Sequence, residues 1–217
     1  LQQELALARE RIAALTVVQD VARDLTSELN LQRLLRKIVR SAIVVLEASA
    51  GSLLLWDASS NELVFTVSES EKGKALEGRR MPAYKGIAGW AFSYRQSAIV
   101  HDVQQDERFF NAIDESLGFR TNSLIAVPLM TKGKSLGVIE ILNKRTGERF
   151  NESDEEILSA LASQAAVSIV NARLYQEVRE ERDRLIVLEE ELRKGLARDF
   201  QDGPAQMLTS IIMDVDI

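Results

Sequence analysis

The chain has 217 residues, of which 46% are hydrophobic, with a net charge of −6 and no cysteine. This length allows one domain plus long connecting elements, and because no run approaches the ~20 apolar residues of a membrane-spanning helix, we expect no membrane contact within this segment. The acidic balance argues against nucleic acid as a partner, and the missing cysteines exclude disulfides and thiolate metal sites, so we expect a cytoplasmic setting.

The first 25 residues carry the heptad pattern of a coiled-coil signalling helix. Gln19 is the single polar position in the predicted seam. The other a and d positions are apolar: Leu1, Leu5, Ala8, Ile12, Leu15 and Ala22. Because a monomer would leave so narrow an apolar stripe in water, the pattern predicts that residues 1–25 pair with a second helix.

A mixed helix and strand pattern follows over residues 26–173, which we predict to form one sensor domain. Apolar alternation on both sides of the turn residues 58–61 favours an antiparallel hairpin near its start. The charged segment from Ser70 to Arg80 is predicted as a loop or irregular connection. The predicted elements are helices at Leu31–Glu47 and Gly86–Tyr94, strands at Gly51–Asp57, Glu62–Ser68, Ser97–Val103, Ser123–Met130 and Ser135–Asn143, and a loop with a short helix at Asp106–Leu117.

A very long helix is predicted from about Ser153 to Phe200, where a cap precedes an extended apolar repeat. Its second half, residues 174–198, reads as a coiled-coil signalling helix, with Glu181 interrupting one d position. The apolar seam residues are Leu174, Val178, Leu185, Leu188 and Leu192. Paired helices at both ends of one domain predict a parallel homodimer.

The central part resembles GAF domains in five runs that occur in the right order over about residues 25–175. The runs are Gly86–Ala91, then Ile99–Val103 with Asp106–Phe109, Gly118–Leu124 leading to Val127–Leu129, Leu136–Ile139 through Asn143–Lys144, and Ser163–Ala166 through Asn171–Tyr175. The resemblance implies an α+β fold with a sheet of about six largely antiparallel strands. Helices pack on one face of that sheet, and a pocket for a small, unidentified ligand lies on the other.

Several residues are candidates for that pocket. The segment Gly86-Ile87-Ala88-Gly89 places backbone N–H groups at a helix start, where they suit an anionic or carbonyl group, although the glycines equally suit a tight turn. His101 and Asp102 lie at the polar end of an apolar strand and are candidate rim residues. Phe110 and Ile113 either line a pocket lid or fill the core.

The resemblance also bears on cofactors. Bilin-binding GAF domains attach the chromophore through a cysteine, which excludes covalent bilin here. Haem-binding members use an axial histidine, but the lone His101 is more typical of a hydrogen-bonding rim residue, and we predict no metal site. The cyclic-nucleotide subgroup carries an Asn-Lys…Phe-x-x-x-Asp-Glu pattern, which matches Asn143, Lys144, Phe150, Asp154 and Glu155. In that subgroup the lysine and the aspartate form a structural ion pair, so Lys144 and Asp154 are predicted to pair.

The last segment, residues 199–217, resembles the start of the dimerisation and phosphotransfer helix of nitrate-sensor-like histidine kinases. Leu196–Gln206 matches an "ARELHDGPAQ"-type run, but Gln201 stands at the position of the phosphoacceptor histidine. An amide nitrogen has no comparable lone pair to attack a phosphate. The resemblance implies that Asp202 acts as a base and that Gln206 orients water for dephosphorylation of a response regulator.

The sequence therefore predicts the sensory, dimerising segment of a two-component histidine kinase, not catalytic by itself, with ATP bound only by a domain outside it. Its partners would be a second copy, a small molecule and a response regulator. Two alternatives stay open: a cyclic-nucleotide-binding regulatory module, and a natural pseudokinase scaffold in which Gln201 is native rather than introduced.

Overall fold

The computed structural model describes residues 28–70, 73–117 and 119–215, and over residues 195–215 it describes the course of the helix alone. The predicted pairing helix at residues 1–25 lies outside the described residues. In chain order the elements are α1 (Glu28–Val45), β1 (Ala48–Asp57), β2 (Glu62–Glu69), β3 (Arg80–Pro82), α2 (Gly86–Tyr94), β4 (Ala98–Val100), α3 (Ala112–Leu117), β5 (Leu124–Thr131), β6 (Lys134–Lys144) and α4 (Glu152–Val215).

The six strands form one sheet in the order β3-β2-β1-β6-β5-β4. Every neighbouring pair is antiparallel, which confirms the predicted fold class. Strands β5 and β6 are joined by a two-residue turn at Lys132 and Gly133, whose φ angles are 44° and 75°. Positive φ at both turn positions matches the right-handed twist of the flanking strands, so this turn fixes the register of the two strands.

Alternation along the strands gives the sheet two different faces, because successive side chains point to opposite sides. The first face packs against α1 and the start of α4, where Leu35, Ile38 and Leu158 are fully buried. The second face packs against α2 through Ile87 and Ala91. On β6, Ile139 and Ile141 point to the first face, so Glu140 between them belongs to the second.

The end of β6 ties several elements together through side chains. The amide oxygen of Asn143 accepts from the backbone N–H of Asn122 at 2.7 Å, and its amide nitrogen donates to the carbonyl of Arg120 at 2.8 Å. Lys144 Nζ lies 2.7 Å from Asp154 Oδ2, with side chains only 9% and 10% exposed. The predicted ion pair is therefore present, and it attaches β6 to the first turn of α4.

Arg145 continues this set of contacts on the other side of the strand. Its backbone N–H donates to the carbonyl of Glu47 and its Nε donates to the carbonyl of Ala48, both at 2.7 Å. Glu47 lies in the sharp connection between α1 and β1, where its φ is 50°, and Ala48 is the first residue of β1. Arg145, which directly follows β6, thus satisfies the carbonyls of both residues.

Helix α4 begins at a reciprocal cap and extends further than predicted. Asn151 Oδ1 accepts from the N–H of Asp154, and Asp154 Oδ2 accepts from the N–H of Asn151. The expected end at Phe200 is wrong, since the helix continues to Val215 through Gly203 and Pro204. The chain divides into two compact units between Ala172 and Arg173.

Part of α4 is long and apolar enough to cross a membrane. This stretch, Glu152–Lys194, meets the criteria of length and composition for a membrane-crossing helix, which differs from the sequence-based expectation. Core helices meet the same criteria, and Leu158, Ala165 and Ile169 of this stretch are buried in the core on the first face.

Two other segments differ from the prediction. The strand expected at Ser97–Val103 is only Ala98–Val100, because Asp102 caps a short 3₁₀ turn by accepting from the N–H of Gln104 at 3.1 Å. The predicted loop at Ser70–Arg80 contains a 3₁₀ turn at Gly73–Ala75 and the first residue of β3. A strand of three residues offers too little alternation to be read from sequence.

Candidate functional site

A cavity lies between the second face of the sheet and the helices α2 and α3. The space open to the centre of a water molecule is about 80 Å³, which is room for several waters or for a ligand of comparable extent. Its polar lining residues are Ser52, Ser68, Ser70, Asp114, Thr121 and Glu140. None of the described lining residues is lysine, arginine or histidine, so the cavity contains acids without a basic counter-charge.

The floor of the cavity is a polar row that crosses three strands. Ser52 on β1 pairs with Ser68 on β2 and, on its other side, with Glu140 on β6. Directly opposed residues share one face of a sheet, so the three side chains lie in line. The hydroxyl oxygens of Ser52 and Ser68 are 3.1 Å apart and hydrogen-bond to each other. Glu140 ends the row as its one charged group.

Glu140 has no hydrogen-bond partner among the described residues. No described polar side-chain atom is both completely buried and unpaired, so the carboxyl oxygens retain accessible surface, and the cavity that Glu140 lines provides it. The protein nevertheless surrounds this group closely. Desolvation, with the nearby charge of Asp114 as a second cause, raises the pKa of Glu140 to about 7.

The second acid of the cavity, Asp114, already accepts hydrogen bonds at both of its carboxylate oxygens. Its Oδ2 accepts from the backbone N–H of Thr121 at 2.7 Å, and its Oδ1 accepts from the Thr121 hydroxyl at 2.9 Å. Asp114 therefore fixes the connection between α3 and β5 to the roof of the cavity. Of the two carboxyl groups, only Glu140 keeps both oxygens open to a ligand.

The roof begins at the N-terminus of α2. Gly86, Ile87 and Ala88 line the cavity, and Lys85 at the N-cap makes no side-chain cap. The first N–H groups of a helix have no acceptor within it and carry a partial positive charge. Gly86 has a φ of 72°, which favours glycine there. Donors in the roof thus complement the free acceptor in the floor.

Aromatic and aliphatic side chains supply the remaining wall. Four phenylalanines line the cavity: Phe65, Phe109, Phe110 and Phe119. Phe109, Phe110 and Gly86 also border a second, more open concavity on the outer side of α2, which Tyr84, Trp90 and Tyr94 line. The rings offer flat apolar surfaces on which a planar group could stack.

The structure brings together only part of the predicted pocket. Gly86, Ile87, Ala88, Phe110 and Ile113 line the cavity. Gly89 does not: a Cβ there would lie 2.6 Å from the carbonyl carbon of Tyr84, so its role is close packing.

His101 and Asp102 are exposed and are absent from the cavity lining. Their predicted place at the rim is therefore wrong for this cavity, because the strand that carries them ends at Val100.

Sequence reasoning missed Glu140, Asp114, Thr121 and the two floor serines. A signal for Glu140 was present, since it is the one charged residue inside the apolar run from Leu136 to Leu142, at an inward position. Near the C-terminal end of the chain, Gln201, Asp202 and Gln206 all lie within α4. The structure describes only the course of the helix there, so their predicted roles stay predictions.

Comparisons with known proteins show which family this chain resembles. The family model described as the GAF domain matches residues 30–169. A dual 3′,5′-cyclic-AMP and -GMP phosphodiesterase 11A from Takifugu rubripes is 30% identical over 76% of this chain and 19% of its own length. A phosphodiesterase 11 of the same description from Drosophila melanogaster is 29% identical over 74% of this chain and 12% of its own length. The chain thus spans less than a fifth of these relatives.

Solved structures agree on the fold. The GAF domain of a phosphoenolpyruvate-protein phosphotransferase from Coxiella burnetii superposes with a TM-score of 0.65 at 20% identity, over 76% of this chain and 96% of that one. A free methionine-R-sulfoxide reductase from Neisseria meningitidis gives 0.63 at 21% identity, over 77% and 92%.

The isolated carboxyl in the floor should make stability depend on pH. Its pKa is raised in the folded protein, so between about pH 4.5 and 7 the folded state binds a proton that the unfolded state has lost. Its contribution to the free energy of unfolding therefore falls as pH rises through that window. We expect Glu140→Gln to stabilise the protein by on the order of 1–3 kcal/mol at pH 8 and by almost nothing at pH 5. Urea unfolding at both pH values measures this, with the exposed Glu177→Gln as control. The same gain at both pH values would contradict the account.

Proposed function

This chain belongs to the GAF domain family, and we propose that it is a regulatory module that binds a small molecule in the cavity and passes the bound state to α4. The observation that carries the proposal is the polarity of the cavity, with uncapped helix N–H groups in the roof and the unpartnered Glu140 in the floor. Leaving buried polar groups without partners destabilises a protein. Their retention on both sides of one enclosed space is typical of a binding site.

A cyclic nucleotide is the ligand that we propose for this module. The similar proteins are described as cyclic-nucleotide phosphodiesterases, and the Asn143, Lys144, Phe150, Asp154 and Glu155 pattern is present. The cavity also has matching polarity, because a phosphate suits the N-terminus of α2 and a base suits the aromatic walls and the acidic floor. Its described space of about 80 Å³ is smaller than a nucleotide, so binding requires the walls to move apart. The absence of a basic residue in the described lining means that the helix N–H groups would supply the attraction for the phosphate.

Calorimetric titration with cGMP and cAMP tests this proposal. We expect saturable binding of at least one of them. Ile113→Trp should weaken binding roughly tenfold or more, because the larger ring would occupy space in the half-buried wall. Val44→Trp adds the same bulk at an exposed position of α1 and should leave binding unchanged. If neither nucleotide binds to the folded protein, a cyclic nucleotide is not the ligand.

We propose that the output runs through α4 and that a second copy of the chain covers its exposed apolar seam. Residues Leu174, Val178, Leu185, Leu188 and Leu192 are 52–68% exposed. They follow alternating spacings of four and three, with Glu181 at the one polar position. Val167, seven residues before Leu174, is also 55% exposed, and the polar Asn171 occupies the seam position between them. This regular spacing favours an identical helix over an irregular partner.

The seam and its neighbours allow a matched test of the dimer. Leu185→Asp places a charge in the proposed seam and should convert a dimer to a monomer at tens of micromolar protein in light scattering. Ile186→Asp introduces the same charge one residue away, at a similarly exposed position outside the a/d repeat, and should leave the dimer intact. A monomeric parent protein, or equal effects of the two variants, would refute the coiled-coil dimer.

A second candidate for the output is the phosphotransfer helix of a histidine kinase. It is supported by the Leu196–Gln206 segment, and α4 carries that segment as part of one helix from Glu152 to Val215. Asp202 and Gln206 are four residues apart and hence neighbours on a helix surface. Gln201 cannot serve as the phosphoacceptor, so on this hypothesis the protein would signal without autophosphorylation or through dephosphorylation alone.

Restoring the histidine separates this candidate from a scaffold without phosphotransfer. In the full-length protein with any ATP-binding domain it contains, Gln201→His should acquire acid-labile phosphate on residue 201. The parent chain and Gln201→Ala should not. Failure of the histidine variant to take phosphate, although ATP binds, would favour the scaffold.

A further inference from the structure

The unpartnered carboxyl of Glu140 faces the cavity beside aromatic walls and away from any described basic group. We propose that Glu140 selects a ligand whose polar edge presents two adjacent N–H donors, as the guanine base does. This inference rests on the proposed function, because it concerns the ligand of the same cavity. The similar phosphodiesterases are described as acting on both cyclic AMP and cyclic GMP, and this inference states which base the ligand of the cavity carries.

The argument starts from what the floor can offer. An ionised carboxylate has two acceptor oxygens and no donor. Both oxygens of Asp114 already accept from Thr121, and one of the Ser52 and Ser68 hydroxyls donates to the other. Glu140 is thus the charged acceptor of the described floor that has no partner, and a ligand with two donors can satisfy both of its oxygens.

Guanine and adenine differ in how many N–H donors they can present to one carboxylate. Guanine carries two N–H donors on its Watson–Crick edge, N1–H and the exocyclic amino group on C2, and these can donate to both oxygens of one carboxylate. Adenine presents one N–H donor beside a bare ring nitrogen, whose lone pair would face the second oxygen. A site that leaves a buried acceptor unpaired rejects the wrong ligand strongly. The phenylalanine rings would hold either base, so they do not discriminate.

The protonation state of Glu140 should alter this preference. A protonated carboxyl offers one O–H donor and one acceptor, which is the complement of the adenine edge. The titratable group that faces Glu140 is Asp114 of α3. The described lining residues of β1, β2, β5 and α2 are not titratable. Preference for a guanine-type edge should therefore grow as pH rises through the value at which Glu140 ionises.

The test compares three probes at pH 8 and pH 6: cGMP, cAMP and methylguanidinium. At pH 8 we expect the parent protein to bind cGMP roughly tenfold or more tightly than cAMP, and the ratio should fall at pH 6. Glu140→Gln replaces two acceptors by one acceptor and one donor, so its preference should turn toward cAMP at both pH values. Glu140→Asp keeps the charge but shortens the reach, and should weaken cGMP without reversing the order. The exposed Glu177→Gln serves as control.

The outcomes separate this inference from the proposed function. Binding of methylguanidinium alone, lost in Glu140→Gln, would support the two-donor edge and replace the nucleotide by a small guanidinium compound. Equal affinity for cGMP and cAMP, or a ratio that Glu140→Gln leaves unchanged, would overturn the inference while cyclic-nucleotide binding stood. If no probe binds to the folded protein at pH 8, both the proposed two-donor ligand of Glu140 and the proposed binding of a cyclic nucleotide are wrong.

Discussion

The last two residues of β6 and the residue that follows them hold the domain together. Asn143 binds the segment that leads into β5, Lys144 pairs with Asp154 at the start of α4, and Arg145 donates to the carbonyls of Glu47 and Ala48, where α1 leads into β1. The ion pair is largely buried, so removal of either partner would leave a poorly solvated charge without its counter-ion, a loss of about 3–5 kcal/mol. Because β6 is also a central strand of the sheet, its end fixes elements on both faces.

The same strand carries a carboxyl that no described residue compensates. Glu140 lies three residues before Asn143, between the buried Ile139 and Ile141. An enclosed carboxyl without a donor destabilises the fold, and the rigid attachment of β6 on both sides allows the fold to tolerate it. This combination of a firmly held strand and an unsatisfied group at its middle is what supports assignment of a binding site, since purely structural positions normally satisfy their polar atoms.

Charged contacts connect the cavity to both helices that flank the sheet. Arg36 of α1 donates to Glu69 and Glu77 at 2.7 Å, and its hydrogen bond to Glu69 raises the pKa of the guanidinium. Glu69 directly follows Ser68 of the cavity floor, and Glu77 directly follows the lining residue Leu76. On the other side, β6 carries both Glu140 and the partner of Asp154 in α4. A ligand that displaced the floor would thus act on residues adjacent to the anchors of α1 and α4.

Alternation, turn residues and family motifs in the sequence determined five of the six strands, the start of α4 and the pairing of Lys144 with Asp154, but not the short strand β3. They also located the roof at Gly86–Ala88, because glycines before an apolar helix constrain the backbone locally. They did not identify the floor, since Ser52, Ser68 and Glu140 come from three strands and become neighbours only through the sheet register. They misplaced His101 and Asp102, because one capping hydrogen bond ended β4 early. Local patterns specify backbone conformation, whereas the chemistry of a cavity depends on which distant side chains share one enclosed space, and only tertiary packing decides that.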